Sequence, residues 1–355
     1  MPTFASHRPE IFRLSEEKDR VRLQKLQGDM NNYEVYDTLE EQLVELLITR
    51  TPSLKSNPSA LATAVSKEIG EAGWEGYGVW VWYPWNRSLV RLLGEEEFIE
   101  VRTNRNKNKI LPLEQQELRA KWVGIVGLSV GSSLAMNLAM ERICGGLRLA
   151  DFDVIELSNL NRIATSVAHL GLPKAIATAR AIAEIDPYFE VEIELNGLTT
   201  DNIGPFFEGL DVVCDACDQV SAKANIRWHA REVGIPVIME TSDRGMIDIE
   251  RYDGPNPRFL HGRIDEEMLR EMRNATEWTP VFFNAFVDVE SVSERGRASL
   301  GEMGNSLVGW PQLYTDVAAG GAHAAQLIRK ILLGEPLPDA RIYLEWDEQF
   351  VESIN

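Results

Sequence analysis

Apolar and polar positions between residues 123 and 151 follow the order strand, turn, helix and strand. The β-branched run at 123–126 precedes a glycine-containing corner, and apolar residues at helical spacing continue from Gly131. A second short apolar run ends in Asp151. This succession of periods predicts one half of a nucleotide-binding α/β fold, around which the rest of the chain is organised.

The residues of this corner suit a phosphate-bearing ligand. Gly127 and Gly131 permit a tight turn and a close approach of the backbone to a ligand. The helix that begins at Gly131 directs free N–H groups at a phosphate, and Asp151 stands where an acid accepts hydrogen bonds from a ribose. Ser129 replaces the middle glycine of the dinucleotide fingerprint and Gly131 comes one place early, so this stretch alone does not establish a NAD site.

Strands and helices continue to alternate downstream. The pattern predicts strands at 189–195, 210–214 and 234–240, and helices from Pro173 to Ile185 and at 221–232. Alternation of this kind indicates an α/β fold with a doubly wound, mostly parallel Rossmann-like sheet, whose ligand lies beyond the carboxyl ends of the strands. Asp151, Asp218 and Thr241 fall at such ends. Farther on we predict an irregular crossing loop at 255–304, a helix at 314–333 and a last strand at 341–346.

Residues 1–100 form an N-terminal helical and hairpin region of different texture. Helical spacing predicts helices at 38–48 and 59–69, and the stretch 76–93 is typical of a hairpin. An aromatic cluster in this hairpin has two interpretations, a docking surface for a peptide or, more simply, packing of the hairpin against the main domain. The cluster consists of Trp80, Trp82, Tyr83 and Trp85.

Composition narrows the class of protein. The chain of 355 residues is 44% hydrophobic and 26% charged, which is typical of a globular protein. No apolar run reaches the roughly 18 residues of a membrane span, and the first residues do not resemble a signal peptide, so we expect a cytoplasmic protein without membrane contact. Three cysteines are too few for a disulfide framework. A net charge of −19 argues against a broad nucleic-acid surface, because binding of nucleic acid depends on Lys and Arg side chains.

Two basic features precede or follow the corner. The stretch 101–109 is the basic run of this acidic chain and is a candidate for phosphate contact. Lys174 opens a predicted helix, where a cation costs a few tenths to about 1 kcal/mol unless an anion binds beside it. The alternative is an exposed lysine that points away from the helix end.

Six short motifs occur in a characteristic order between Arg102 and Tyr252, and in this order they resemble the ThiF/MoeB adenylating superfamily, which includes the ubiquitin-activating enzymes. They are Arg102-Thr-Asn-Arg105, the glycine corner, Asp151-Phe-Asp153, Ser158-Asn-Leu-Asn-Arg162, Gly171-Leu-Pro-Lys174 and Asp215-Ala-Cys-Asp218.

The resemblance implies an ATP-binding adenylation domain at 101–355, in which ATP and a carboxylate give an acyl-adenylate and pyrophosphate. Mg²⁺ commonly needs only one or two protein carboxylates, and by resemblance Asp218 would hold it. By the same resemblance Arg105 would reach ATP across a subunit interface, which makes a homodimer the expected assembly. The nucleotide contacts implied for the remaining residues are a ribose contact at Asp151, triphosphate contacts at Asn159, Arg162 and Lys174, and further cofactor contacts at Gly127, Ser129, Gly131 and Asp153.

The chain departs from many family members in its cysteines. None follows Cys217, so the paired cysteines of a structural zinc site and the thioester cysteine are both missing, and we expect neither zinc nor a thioester step. Cys214 and Cys217 lie beside Asp215 and Asp218, whose charges disfavour thiolates, and packing is their simplest role. The favoured prediction is therefore adenylation of a peptide or protein carboxylate that a non-cysteine nucleophile captures, as in peptide natural-product pathways.

Two other functions compete with this prediction. One is dehydration of a modified tRNA base by an enzyme of the same superfamily, against which the net charge of −19 argues. The other is a NAD(P)-dependent oxidoreductase or NAD sensor, and Lys174 together with Asp218 favours a triphosphate with a metal over a dinucleotide. Substrate recognition is the candidate role of residues 1–100.

Overall fold

The computed structural model describes residues 6–29 and 31–344. Its described residues divide into two compact units. The N-terminal unit contains the residues up to Pro112 and the segment Ile182–Phe189, and the main unit contains Leu113–Ala181 and the residues from Glu190 onward. The functional division at residue 100 stays a prediction.

The N-terminal unit is built around a four-stranded sheet in the order β1-β3-β4-β2. β1 pairs antiparallel with β3 and β3 with β4, which is the predicted hairpin, whereas β2 runs parallel to β4. The elements are β1 Glu10–Arg13, α1 Glu17–Asp29, β2 Glu34–Asp37, α2 Leu39–Arg50, α3 Pro58–Ile69, α4 Gly73–Gly76, β3 Val79–Tyr83, β4 Ser88–Leu92 and α5 Glu95–Arg102.

The aromatic residues of the hairpin are packing residues of the N-terminal unit itself. Trp82 is buried with Phe12 and Leu89, and its ring meets Tyr33 edge to face. Tyr83 is buried in a neighbouring cluster, and its hydroxyl donates a hydrogen bond to the Ala183 carbonyl. The interpretation of Trp82 and Tyr83 as a docking surface is therefore wrong.

The main unit contains a seven-stranded sheet in the order β11-β10-β9-β8-β5-β6-β7. The strands from β9 to β7 in this order are parallel, and β10 is antiparallel to β9 and β11. The predicted α/β class with a mostly parallel, wound sheet is confirmed. The elements are α6 Pro112–Leu118, β5 Trp122–Val126, α7 Gly131–Glu141, β6 Gly146–Ala150, α8 Lys174–Ile185, β7 Glu190–Glu194, α9 Ile203–Phe207, β8 Val212–Asp215, α10 Val220–Val233, β9 Val237–Glu240, β10 Ile247–Glu250, α11 Glu266–Arg273, α12 Pro280–Val287, α13 Glu294–Leu300, α14 Tyr314–Leu332 and β11 Ala340–Ile342.

The predicted crossing loop at 255–304 is largely helical. α11, α12 and α13 lie in it, and Asp265, Thr279 and Ser293 cap their N-termini by accepting backbone hydrogen bonds. These helices are only seven or eight residues long, which is too short for a clear period in the sequence. The last strand ends at Ile342, and the predicted residues 345–346 lie outside the described residues.

No helix within the described residues is both long and apolar enough to span a membrane.

Candidate nucleotide-binding site

A cleft opens in the main unit at the carboxyl ends of β5, β6 and β8. Each of these parallel strands is followed by a loop that contributes residues to the cleft wall, as the wound topology requires. The polar and backbone groups of the wall come from Gly127 and Ser129 after β5, Asp151 and Asp153 after β6, Cys217, Asp218 and Gln219 after β8, and Lys174 at the start of α8.

The glycine corner lets the β5 and β8 loops approach each other closely. Gly127 has a φ of +91°, and a Cβ atom there would collide with the carbonyl group of Ala216. Its N–H donates to the Ala150 carbonyl oxygen at 2.9 Å, which joins the ends of β5 and β6. Gly131 is buried as the first residue of α7, where a Cβ would press on the Ile125 side chain at 2.7 Å. Gly127 thus forms the cleft wall, while Gly131 allows the helix behind it to pack.

Asp151 holds two of these loops in place. Its carboxylate accepts hydrogen bonds from the Leu128 N–H at 2.6 Å and from the Asp153 N–H at 2.7 Å. The residue is only 7% exposed, and burial raises the pKa of its carboxyl above the ordinary value despite these bonds. The carboxylate lies in the wall of the cleft, where its remaining lone pairs can accept hydrogen bonds from a ligand.

Lys174 is a buried cation in the cleft wall. Its ammonium contacts Asp153 Oδ2 at 2.7 Å, and its backbone N–H donates to the Asp153 carbonyl oxygen at 2.9 Å. Asp153 itself remains 51% exposed at the side chain. Lys174 is also the first residue of the 12-residue helix α8, so the positive charge and the free N–H groups of the helix end coincide.

Arg162 reaches the cleft through Ser129. Its Nε donates to Ser129 Oγ at 2.9 Å, and its guanidinium also donates to Asn161 Oδ1 at 2.8 Å. Asn159 lies behind this contact: it is buried, and its Oδ1 accepts the Glu156 N–H at 3.1 Å. Asn159 therefore shapes the short 3-10 helix that precedes Arg162, and its contact with the triphosphate stays a prediction.

Asp218 faces the same cleft from a loop that buried charges hold firmly. Asp215, at the end of β8, accepts a hydrogen bond from Lys223 at 3.0 Å and from Arg227 at 2.7 Å. Although burial favours the neutral acid, these two cations hold the pKa of Asp215 at about 2. Cys217 Sγ donates to Asp215 at 3.2 Å, and burial raises the pKa of that thiol well above its ordinary value.

The structure thus brings most of the predicted site residues together. Arg105 lies in the N-terminal unit, in the turn Asn104–Asn106, and its contact with ATP stays a prediction. Sequence reasoning missed an apolar part of the wall formed by Phe152 and Gly197, where a Cβ at Gly197 would approach the Phe152 ring to 2.8 Å. A lone glycine after a strand gave no sign of this contact.

Glu240, the last residue of β9, is a buried acid that lies against α14. The described residues provide no hydrogen-bond partner for either carboxylate oxygen, and a Cβ at Gly320 would collide with the side chain. Burial raises the pKa of Glu240 to about 8. Glu240 is therefore neutral at pH 7 in the folded chain. In the unfolded chain it is ionised at this pH, so folding requires uptake of a proton and is less favourable by that free energy.

Replacement of Glu240 by glutamine is expected to change the pH dependence of stability. The stabilisation from the bound proton is complete below the unfolded-state pKa of 4.5 and is lost as the pH rises to the folded-state value of about 8. Glu240→Gln should remove this decline and raise the free energy of unfolding at pH 7 by about 3 kcal/mol. Urea unfolding from pH 5 to 9 measures it, with Glu208→Gln at an exposed position as the control. Parallel curves for Glu240→Gln and the unmodified protein would contradict the assignment.

Comparison with known proteins bears on one segment of the chain. Residues 102–246 match the model of the ThiF family, which places this segment in the ThiF/MoeB adenylating superfamily. It is 28% identical over 149 residues to the molybdopterin-synthase adenylyltransferase of Haemophilus influenzae, a match that covers 41% of this chain and 61% of the relative. The predicted resemblance is confirmed.

Two further relatives extend the comparison. An uncharacterized protein of Mycobacterium tuberculosis, MT1398, is 44% identical over 269 residues, which cover 75% of this chain and 38% of the relative. The tRNA threonylcarbamoyladenosine dehydratase of Escherichia coli is 34% identical over 128 residues, covering 36% and 47%. A crystal structure of that dehydratase superposes with a TM-score of 0.47 and 23% identity over 66% of this chain and 94% of the other. The matches thus span less than two thirds of the lengths of these curated relatives.

Proposed function

We propose that this member of the superfamily is an ATP- and Mg²⁺-dependent enzyme that adenylates a carboxylate of a peptide or protein. The observation that carries the proposal is the shared cleft of Lys174, Asp151 and Asp218, with Arg162 bonded to Ser129 at its wall. One cleft thus offers cationic groups, a helix end, a ribose-accepting acid and a separate carboxylate. This set suits a nucleoside triphosphate with a metal ion better than an uncharged ligand.

The residues of the cleft fit the metal as well as the nucleotide. Mg²⁺ prefers oxygen ligands and takes only one or two protein carboxylates, because phosphate oxygens and water complete its shell. Asp218 supplies one such carboxylate in the cleft wall. When bound there, the ion would contribute positive charge beside the phosphates.

The proposed reaction is displacement at the α-phosphorus of ATP. A carboxylate oxygen of the substrate forms a bond to that phosphorus, the bond to the bridging oxygen breaks, and pyrophosphate leaves with the electron pair. Catalysis of such a step is chiefly positioning and charge stabilisation. Lys174 and Arg162 would bind the phosphates that gain charge, while Asp151 would hold the ribose and so fix the α-phosphate in the cleft.

The nature of the capturing nucleophile follows from the cysteines. The sequence has no cysteine after Cys217, and Cys214 and Cys217 are thiols whose pKa burial raises well above the ordinary value. A neutral thiol is a poor nucleophile. The acyl-adenylate would therefore be captured by a nitrogen or carbon nucleophile of the substrate. A homodimer in the cytoplasm, with Arg105 acting across the interface, completes the proposal.

A second candidate is dehydration of a modified tRNA base, which the 34% identity to the E. coli dehydratase favours. This reaction also begins with a nucleotide-dependent activation, so the cleft alone does not separate the two candidates. The net charge separates them. A charge of −19 opposes binding of a polyanion such as tRNA, because such binding depends on Lys and Arg side chains that neutralise phosphates.

The proposal is tested with the unmodified chain by thermal denaturation and exchange assays. Mg·ATP at about 100 times its Kd should stabilise the fold by about 2.7 kcal/mol, whereas NAD⁺ and NADH should leave the midpoint unchanged. Exchange of labelled pyrophosphate into ATP should require added peptides with free carboxylates. A shift with NAD(H) alone would overturn the proposal, and tight tRNA binding in a low-salt filter assay would favour the dehydratase.

A further inference from the structure

The two outer strands of the N-terminal sheet differ in whether other parts of the chain cover the backbone groups of their free edges. An edge strand presents unpaired backbone N–H and C=O groups that can pair with another chain, and proteins usually block them. β1 is blocked by its own chain. The Arg13 N–H donates to Asp19 Oδ2 at 3.0 Å, and the Arg13 carbonyl oxygen accepts the Glu16 N–H at 2.9 Å.

β2, at the opposite edge, has no such cover among the described residues. Its four residues are all exposed, and β4 is its sole partner strand in the described sheet. The Glu34 N–H donates to the Arg87 carbonyl oxygen at 3.0 Å. Because alternate residues of a parallel strand bond to the same neighbour, Glu34 and Tyr36 face β4, while Val35 and Asp37 direct their backbone groups to the open side.

The two central side chains of β2 favour pairing, whereas its two acids restrict which partner can pair. Val35 is 53% exposed and Tyr36 is 49% exposed, and both are residue types that favour strands. Neither proline nor lysine, the usual guards of a free edge, occurs in β2. The strand therefore combines free backbone groups with exposed apolar surface on both faces of the sheet.

We propose that β2 binds an extended, basic segment of another polypeptide as an added strand. The charges of β2 and of the first turn of α2 select this partner. Glu34, Glu40 and Glu41 are exposed and have no cationic partner among the described residues, whereas Asp37 is paired with Arg91 at 3.0 Å. Lysine or arginine residues flanking the bound segment would meet these acids, and backbone pairing would hold the segment itself.

The same charges disfavour a second copy of this chain at β2. Two copies paired antiparallel about Val35 and Tyr36 would place Glu34 opposite Asp37 at both ends of the contact. Parallel pairing in register would place Glu34 beside Glu34. Like charges directly opposite each other destabilise a strand pair, and each copy carries a net charge of −19.

A fluorescent eight-residue peptide of alternating Lys and Val tests the proposal by anisotropy, with the full chain and without ATP. Binding without nucleotide keeps this result separate from the proposed adenylation, which has its own assays. The Lys/Val peptide should bind, and its Glu/Val counterpart should bind at least about tenfold more weakly. Methylation of alternate backbone nitrogens of the Lys/Val peptide should also lower its affinity about tenfold, because methylation removes N–H donors but keeps the charges.

Variants of β2 provide the matched test on the protein. Val35→Pro removes an outward N–H but leaves the bonds of Glu34 and Tyr36 to β4, and should weaken binding about tenfold. Val35→Thr retains the N–H and should bind the peptide within about twofold of the unmodified chain. Equal binding to Val35→Pro, or to the methylated peptide, would overturn the proposal. So would a dimer in sedimentation that Val35→Pro dissociates, since it would make a second copy the occupant.

Discussion

Replacing Lys174 by methionine is expected to raise the Kd for Mg·ATP by about 10- to 100-fold. The ammonium is buried in the cleft wall and lies at the first residue of α8, so a bound phosphate would contact both the cation and the helix end. A hydrogen bond to a charged group contributes about 1.5 to 3 kcal/mol, which corresponds to this range of affinity. Isothermal titration calorimetry measures the change.

Asp153 makes this prediction more specific. Lys174 contacts Asp153 at 2.7 Å, and Asp153 is half exposed, so its carboxylate remains hydrated when the lysine is lost. Lys174→Met should therefore leave the thermal midpoint almost unchanged. Asp153→Asn should change the Kd for Mg·ATP when Lys174 is present, because the two side chains interact directly. In the Lys174→Met protein the same substitution should have little effect on the Kd. An unchanged Kd for Lys174→Met would exclude Lys174 from the nucleotide site.

Replacing Arg227 by methionine is expected to lower the free energy of unfolding by about 3 to 5 kcal/mol. Arg227 is fully buried, and its guanidinium contacts Asp215 at 2.7 Å and Glu250 at 2.8 Å. Removing one partner of a buried ion pair leaves uncompensated charge in a medium that solvates it poorly. Urea unfolding measures the loss, and Arg227→Lys should recover part of it.

Arg263→Met is the matched control for this substitution. Arg263 contacts Asp288 at 2.7 Å, close to the Arg227 distances, but the two side chains are 37% and 28% exposed. Exposed ion pairs typically contribute less than about 1 kcal/mol, and the control should fall within that limit. Equal losses for Arg227→Met and Arg263→Met would contradict the view that burial makes the Arg227 cluster important for stability.

The sequence predicted the parts of the fold in which periodicity and burial agree. The strands that border the cleft are short apolar runs, and each is followed by a turn or an acid, so their positions and their shared edge could be predicted. The site residues at strand ends followed from the same pattern, since the topology of a wound sheet places those ends together. Asp151 and Asp218 were identified in this way, and both line the cleft.

The sequence pattern did not predict β2 and β10, because neither strand has the apolar composition of a typical strand. β10 contains Asp248 and Glu250, which are completely buried because Arg341 and Arg227 pair with them from distant parts of the chain. Acids in a strand pattern indicate a solvated face unless such partners are known. β2 is short and entirely exposed, so it carries no pattern of burial at all.

Asn159 shows the corresponding limit for the site. The resemblance implies a contact between its side chain and the triphosphate, which stays a prediction, and the structure shows its amide oxygen accepting the Glu156 N–H. The motif gave no sign of this contact within the loop, because the loop conformation depends on packing throughout the unit.

The low pKa of Asp215, about 2, has a consequence for measurements in acid. This carboxylate fastens the loop that carries Asp218, and its contribution to stability is lost only as the pH falls below its unfolded-state value of 3.8 toward 2. Its ties to Lys223 and Arg227 therefore persist throughout the mildly acidic range. A reversible decline in turnover near pH 5 would accordingly have a cause other than release of Asp215 from Lys223 and Arg227, because the scaffold beneath Asp218 is still intact there.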